Sequence, residues 1–525
     1  MAASRTASDD RNAGGLAVFI VPLALTGGLL GIGRLSRIQE SEPLAWSFWG
    51  TAMALLAWQA FLAVRALGEG APALKFAPPR PQHYIQMCCQ LSIYAYWGWF
   101  WPPVYPFAPL LVGQLLFAYA FDLLLAWTRR QEFLLGFGPV PIILSINLFL
   151  WFKDDWFAWQ FVLVAVAFLG KAFVRWERDG RRVHIFNPSA FTLALFALVL
   201  LATGTTNSHT WAEEIVTTFG MGPLAYFQMF TVGLIVMYFF ATTPVTASAA
   251  ITLFGASALY MAVTGVPYFV DSEIPAAVFL GLLLLVTDPA TSPRTPLGRV
   301  IFGVLYGVGV FALYGLLGAL GQPTFYDKLL AVPLLNLLVP TIDRSVRQLG
   351  TPRVLDRMGF AGTPGRYNLA HMAVWATFYG LMTLRGATDG MHHGDALPFW
   401  QQACAEDRRQ ACRRLLNIEA SYCRDNAGWA CNEMGRHYLE GRLVPADIER
   451  AFAYFSRACE ARFQAGCVNL LDETDLARAD PRVLDLRLLL REGGPNLMHM
   501  GEPDLYERAC RHGWTFACDK ASASR

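Results

Sequence analysis

Thirteen apolar stretches crowd the first 384 positions of this chain and leave it little choice of solvent. They lie near 15–33, 43–66, 84–105, 107–127, 139–152, 156–174, 189–203, 224–241, 247–265, 274–287, 299–320, 328–342 and 368–384. A helix that crosses a bilayer needs about 20 mostly apolar residues, so a bundle of membrane helices is the expected fold for this region. Composition agrees, because 54% of the residues are hydrophobic and only 16% are charged, a balance rare among soluble proteins of this size. The net charge of +2 and the lack of any long basic tract exclude nucleic acid as a partner. The polar start, MAASRTASDDRNAG, precedes the apolar run Gly15–Leu30. No convincing small-residue cleavage site follows that run, so it is read as a retained first span.

Four stretches, 139–152, 189–203, 274–287 and 328–342, are short and end in proline or polar residues. They are expected to be broken or re-entrant helices, which a bilayer tolerates only where protein or a cavity satisfies the freed backbone. Orientation follows from Lys and Arg in the short connections. With a cytoplasmic N-terminus, the inside segments hold 19 such residues. The outside loops hold only four, namely Arg34, Arg37, Lys153 and Lys328. The odd number of spans then places the C-terminal region on the outer, periplasmic face of a bacterial inner membrane.

The cysteines test that side independently. Eight of the ten follow residue 400, as Cys404/Cys412, Cys423/Cys431, Cys459/Cys467 and Cys510/Cys518, each pair eight positions apart. Eight positions along one straight helix is about 12 Å, beyond the roughly 4.4–6.8 Å between the Cα atoms of a disulfide, so a turn must bring each pair together. Zinc prefers ligands two to four residues apart. An oxidising compartment therefore accounts best for the even count and the spacing, and four disulfides are expected: Cys404–Cys412, Cys423–Cys431, Cys459–Cys467 and Cys510–Cys518. The preceding GATDGMHHGDAL (386–397) reads as a polar linker, with metal binding by His392 and His393 beside Asp389 and Asp395 as the alternative.

The segment ACNEMGRHYLEGRLVPADIERAFAYFSRACEARFQAGCVNLL (430–471) resembles the Sel1-like repeats, through Ala430, Gly435, Tyr438, Gly441, Ala451, Tyr454, Phe455, Ala458 and Gly466. The resemblance implies helical hairpins whose small residues allow close contact and whose aromatics fill the layers between. It also implies a module that binds another protein, here an exported one.

Within the membrane region the most informative stretch is LLLLVTDPATSPRTPLGRVIFGVLYG (282–307), where an apolar helix ends in a stiff loop of hydroxyl and carboxylate groups. HIFNPSAF (184–191) precedes it and LLAVPLLNLLVPTIDR (329–344) follows, with further likeness in PIILSINLFLWF (141–152) and FLGKAF (168–173). Over about residues 81–345 these motifs resemble the NqrB/RnfD family, the membrane flavin subunits of the Rnf complex and of the sodium-pumping NADH:quinone oxidoreductase. The resemblance implies a ten-helix membrane body that passes electrons through flavin, and possible contact with quinone. In that family one FMN is esterified to a threonine in an outside loop. The best match here, Phe219-Gly220-Met221-Gly222, puts Gly222 at the acceptor position. FMN or riboflavin held noncovalently is then the expectation.

FATTPVTAS (240–248) echoes TDPATSP (287–293), and both fall on the inner side with Asn187. One pocket is expected from Asn187, Thr243, Thr246, Thr287, Asp288, Thr291, Ser292 and Arg299, the arginine offering charge to a phosphate or a ring carbonyl. Asp122 in the fourth span requires a partner or neutralisation. Asn147 and Asn336 read as helix-to-helix bonding residues, and Cys88 and Cys89 as small core residues.

The whole is therefore expected to be all-α. Residues 1–80 carry two extra helices, 81–345 the ten-helix body, 346–397 a cytoplasmic loop with the last span and linker, and 398–525 the disulfide-stapled repeats. No nicotinamide site or iron–sulfur cysteine set is visible, so electrons would come from other membrane redox subunits, and the chain is at most a redox component of a larger oxidoreductase. A transporter- or channel-like protein and a membrane scaffold without redox role are the alternatives.

Overall fold

The computed structural model describes residues 3–469 apart from 70–73, 77, 80, 132, 179, 221–223, 270–275, 351–352, 354–356, 358–366, 387, 389–393, 395, 425, 462, 464–465 and 467–468, together with residue 522. The chain is all-α, and each of the thirteen apolar stretches carries a helix: Ala3–Ile32, Glu42–Glu69, Pro81–Phe100, Ala108–Thr128, Pro139–Asn147, Ala158–Phe173, Pro188–Thr203, Ala225–Phe240, Thr243–Thr264, Ala276–Leu284, Pro296–Ala319, Asp327–Leu349 and Asn368–Leu384. Several open on proline at the first helical position, where the missing N–H costs nothing. Among the described residues five segments are long and apolar enough to cross a membrane: Glu42–Gly68, Pro102–Thr128, Thr243–Thr264, Pro296–Ala319 and Thr324–Leu349. Four shorter apolar helices accompany them.

The four stretches expected to be interrupted behave differently from one another. Pro139–Asn147 and Ala276–Leu284 have nine residues each, about 13.5 Å of helix against a hydrocarbon core of about 30 Å. Pro188–Thr203 runs unbroken for 16 residues, and Asp327–Leu349 for 23 despite Pro333 and Pro340 inside it. Two short two-stranded sheets go beyond the expected helices. Leu74–Phe76 pairs in parallel with Phe133–Leu135, and Arg175–Arg178 pairs antiparallel with Arg181–His184.

Two compact units divide the chain: Met1–Leu253 with Ala276–Leu381, and Phe254–Pro275 with Met382–Arg525. The first is built inside out relative to a soluble protein. Phe61, Val64 and Leu198 stand more than half exposed, while Gln114, Asn147, Gln160 and Thr192 are fully buried. The buried amides answer one another: Asn147 Nδ2 donates to Gln114 Oε1 at 2.8 Å, and Gln160 Nε2 donates to Asn147 Oδ1 at 3.2 Å. They sit where the nine-residue Pro139–Asn147 helix ends, and Phe152 N donates to Gln160 Oε1 there. A broken helix is thus capped from within the protein, as a bilayer requires.

In the second unit the helices Leu397–Ala405, Ala411–Arg424 and Gly428–Glu440 follow one another through short turns, and a seven-residue loop leads on to Ile448–Glu460. Disulfides staple two of these turns, Cys404–Cys412 and Cys423–Cys431, with Cα atoms 4.5 and 4.6 Å apart. The turns use Asp407, Gln410 and Asn426 at positive φ, a backbone region in which Asp and Asn are enriched. Cys459 is disulfide-bonded as well. Cys467, Cys510 and Cys518 lie outside the described residues, as do His392, His393, Asp389 and Asp395 of the linker. Gly435 lets Gly428–Glu440 rest on Phe455 of the next helix, since a Cβ there would come within 2.5 Å of that ring. Tyr438 stacks on Tyr454 at 5.5 Å beside it. An apolar cluster of Leu397, Trp400, Leu415, Trp429 and Phe463 also takes in Val266, and Arg408 Nη1 donates to Gly265 O at 3.0 Å.

Candidate functional site

Prolines at 289, 293 and 296 stop the Ala276–Leu284 helix from continuing, and the chain folds back on itself before Pro296–Ala319 begins. The hydroxyls of this turn bond its own backbone. Thr287 Oγ1 donates to Leu283 O at 2.6 Å, and Ser292 Oγ donates to Asp288 O at 2.7 Å and to Val286 O at 3.2 Å. Thr291 Oγ1 donates to Asp288 Oδ2 at 3.2 Å, and Ala290 N to Asp288 Oδ1 at 3.0 Å. His184 Nε2 lies 4.0 Å from the same carboxylate.

Asn187 binds a second motif to the turn. Its Oδ1 caps the Pro188–Thr203 helix by accepting from Ser189 N at 3.0 Å and Ala190 N at 3.2 Å. Its Nδ2 donates to Leu285 O at 3.2 Å. Asn336 closes the triangle, accepting from Asn187 N and donating to Thr291 O, both at 3.2 Å. Asn336 thus ties its helix to the cap of Pro188–Thr203 and to the 287–292 turn, and these bonds bring the three sequence motifs of the membrane region together.

The hub of this arrangement is Asp343, a residue of the 329–344 motif that the sequence pattern does not set apart from its neighbours. Its carboxylate is 6% exposed and pairs with Arg178 Nη2 at 2.6 Å. It also accepts from Arg294 N at 3.0 Å and from Thr295 N and Oγ1, both at 3.4 Å. Arg178 reaches from the Arg175–His184 hairpin and bonds Ser292 O as well, at 3.2 Å. One signal lay in the sequence: Asp179-Gly180, the dipeptide that favours a two-residue hairpin turn and so brings Arg178 back toward the bundle.

Arg299 joins the second Pro-Thr turn to the first. Its Nε donates to Pro293 O at 3.0 Å and its Nη1 to Ala241 O at 2.6 Å. Ala241 ends Ala225–Phe240 with φ 51°, a left-handed backbone that costs a residue with a Cβ about 1–3 kcal/mol and persists only where its surroundings hold it. The turn it opens leads at once into Thr243–Thr264. Thr243 Oγ1 donates to Asn368 Oδ1 at 3.1 Å, whereas the hydroxyls of Thr242 and Thr246 are buried without a hydrogen-bond partner. Pro296–Ala319 packs closely here, since a Cβ at Gly307 would lie 2.9 Å from Ala249 O.

Of the eight residues expected to form one pocket, seven therefore have bonds within the protein, and Thr246 alone keeps an unused buried hydroxyl, with Thr242 beside it. Gly222, read as the altered flavin-acceptor position, lies outside the described residues with Met221 and Pro223. At the other end of these helices Arg37 pairs with Asp154 through two bonds of 2.9 Å, Lys153 N donates to His209 O, and Trp97 Nε1 donates to Thr218 Oγ1 at 3.0 Å. The polar turns thus group at one end and the 33–43, 152–156 and 203–219 connections at the other. Cys88 is exposed and Cys89 buried, and no metal-binding group of His, Cys, Asp or Glu occurs among the described residues.

A chain with this construction is a helical membrane protein carrying a helical-repeat module, and comparison with known proteins sharpens both parts. The Sel1 repeat matches residues 430–463, the Gly428–Glu440 and Ile448–Glu460 hairpin. The D-subunit of the ion-translocating oxidoreductase complex of Aeromonas hydrophila subsp. hydrophila is 40% identical over 73 residues, which is 14% of this chain and 19% of that protein. Its counterpart from Aeromonas salmonicida (strain A449) matches with the same figures. The chain thus spans about a fifth of the length of the curated relatives it matches.

Proposed function

We propose that the chain is a membrane-embedded electron-transport protein of the RnfD kind, at most one redox component of a larger oxidoreductase. FMN or riboflavin, held noncovalently, sits by the Ala241–Thr246 turn. The 40% identity over 73 residues to a component of an ion-translocating oxidoreductase complex carries the reading. The orphaned hydroxyls of Thr242 and Thr246 support it, because buried donors of this kind ordinarily have a partner and a flavin ring edge offers acceptors. Bound flavin supplies one- and two-electron redox chemistry. The chain's part is positional: Asp343 and Arg178 hold the 287–295 turn, Arg299 fixes the Ala241 carbonyl, and Thr242 and Thr246 donate.

Other membrane redox subunits supply and remove electrons, and a periplasmic protein docks on the Sel1 repeats. The membrane is the bacterial inner membrane, with the N-terminus cytoplasmic. Two observations support that sidedness: disulfides persist in oxidising compartments, and the repeat unit packs on Gly265 and Val266, which the loop charges assign to the outside.

Anaerobic reduction of the purified chain tests the redox role. The visible flavin band bleaches on titration with dithionite and returns on adding a quinone analogue; a preparation with no band that responds excludes it. A scaffold whose repeats recruit a partner is the second reading. It is favoured by the many hydroxyls of the 287–292 turn already bonded within the turn itself, and it predicts a colourless protein.

A further inference from the structure

The Ala158–Phe173 helix turns an apolar stripe outward, with Val162, Leu169 and Phe173 at 42%, 37% and 61% exposure. That stripe ends in a knot of cations. Arg129, at the end of Ala108–Thr128, sits 5.0 Å over the Phe173 ring. Arg175 leaves the helix end and its Nε donates back to Lys171 O at 2.9 Å. Arg182 comes from the facing strand of the hairpin. Against Arg129, Lys171, Arg175 and Arg182 stand two carboxylates among the described residues: Asp122, in the field of Lys171, Arg175 and Arg129, and Glu177, in register with Arg182. The crowding is tight enough to matter to Arg175, whose pKa is pushed down by burial first and then by Arg129 and Arg182, with Asp122 opposing.

Uncompensated positive charge at the end of a membrane helix attracts an anion. A free inorganic anion would answer the charge and ignore the apolar stripe beside it. An anionic amphiphile answers both, since its acyl chains cover exposed Val162, Leu169 and Phe173 while its head meets the cations. We propose that this knot is a binding site for the headgroup of an anionic phospholipid, with the phosphodiester among Arg129, Lys171 and Arg175. Phe173 then has two roles: its face orients the Arg129 guanidinium and its edge meets the first methylenes of the lipid. The site shares the Arg175–His184 hairpin with the polar turns but uses none of the groups that bond them, and it does not depend on a flavin being bound.

The full chain, purified in detergent and stripped of lipid, provides the test through its thermal midpoint during titration with phosphatidylglycerol, phosphatidylcholine or inorganic phosphate. Phosphatidylglycerol raises the midpoint, and the other two do not. Each cation near a membrane surface changes lipid affinity about fivefold, so the double variant Arg129→Gln/Arg175→Gln binds phosphatidylglycerol roughly thirtyfold more weakly, whereas Arg37→Gln at the opposite end leaves the response intact. Native mass spectrometry of the unaltered chain asks the same question if the double variant does not fold: phosphatidylglycerol remains bound at collision energies that remove phosphatidylcholine. An equal response to phosphatidylcholine, a shift reproduced by phosphate alone, an unchanged affinity in the double variant, or equal retention of the two lipids overturns the proposal.

Discussion

The membrane unit and the repeat unit hold their helices together by opposite means. In the first, apolar side chains face outward and give no reason for one helix to prefer another, so association rests on close backbone approach and on polar groups that find partners inside. Asp343 with Arg178, and Gln114 with Asn147 and Gln160, are those partners. In the second, water drives the apolar faces inward, and Trp400, Trp429 and Phe455 fill a core that two short covalent loops close. The difference teaches where each is vulnerable: the membrane unit at a few polar residues, the repeat unit at its packing and its staples.

The largest effect is expected at the polar hub. Asp343→Ala leaves the Arg178 guanidinium, 10% exposed, without its anion, and breaking a buried pair by removing one partner costs about 3–5 kcal/mol. Thermal unfolding of the full chain in detergent reads this as a collapse of the membrane unit, while protease resistance of the repeats persists. Equal loss in both units would break the contrast. Reduction is the converse experiment. Each eight-residue separation closes a small loop, worth roughly 2.5 kcal/mol in the chain-entropy account, so a reductant opens the repeats to protease and spares the membrane unit.

A subtler test exploits the one buried acid–base contact described in the repeats. Glu419 Oε2 lies 2.8 Å from His437 Nε2, with Glu433 and Arg436 nearby. Burial raises the Glu419 pKa above its ordinary 4.5, and the His437 bond works against that rise. Between pH 4.5 and the raised value Glu419 therefore keeps its proton more often in the folded unit than in the unfolded chain. The unit's stability is complete below pH 4.5 and declines as pH rises through the raised pKa. Glu419→Gln flattens the decline in a pH series of repeat-unit midpoints, and a slope unchanged by the substitution contradicts the assignment. The smallest effect is expected at Ala241, where glycine accepts the φ of 51° without strain. Ala241→Gly stabilises the membrane unit by about 1 kcal/mol, provided the Arg299 bond to its carbonyl survives.

Much of this was legible in the sequence, because apolar runs of membrane length permit little else and a repeated cysteine spacing permits few turns. The thirteen helices and the two described cysteine pairs follow from those two facts. Resemblance singled out the 184–191, 282–307 and 329–344 motifs without saying that they meet, and the bonds among Asn187, Leu285, Asn336 and Thr291 bring them together. What escaped was of another kind. Asp343 looks like any helix-ending polar residue until the hairpin carrying Arg178 is folded over it. The continuity of Asp327–Leu349 through Pro333 and Pro340 was missed because a proline's lost bond is tolerated where neighbouring helices re-satisfy the backbone. Which threonines remain unbonded is likewise set by turn geometry, so Thr242 could not be told from Thr243 beforehand.

Flavin content is the most direct measure of the proposed redox role of the membrane unit. Purified with its native lipids and then denatured, the chain should release close to one FMN or riboflavin per molecule and leave a colourless pellet. A colourless solution from the start, or flavin that stays with the denatured polypeptide, would contradict it.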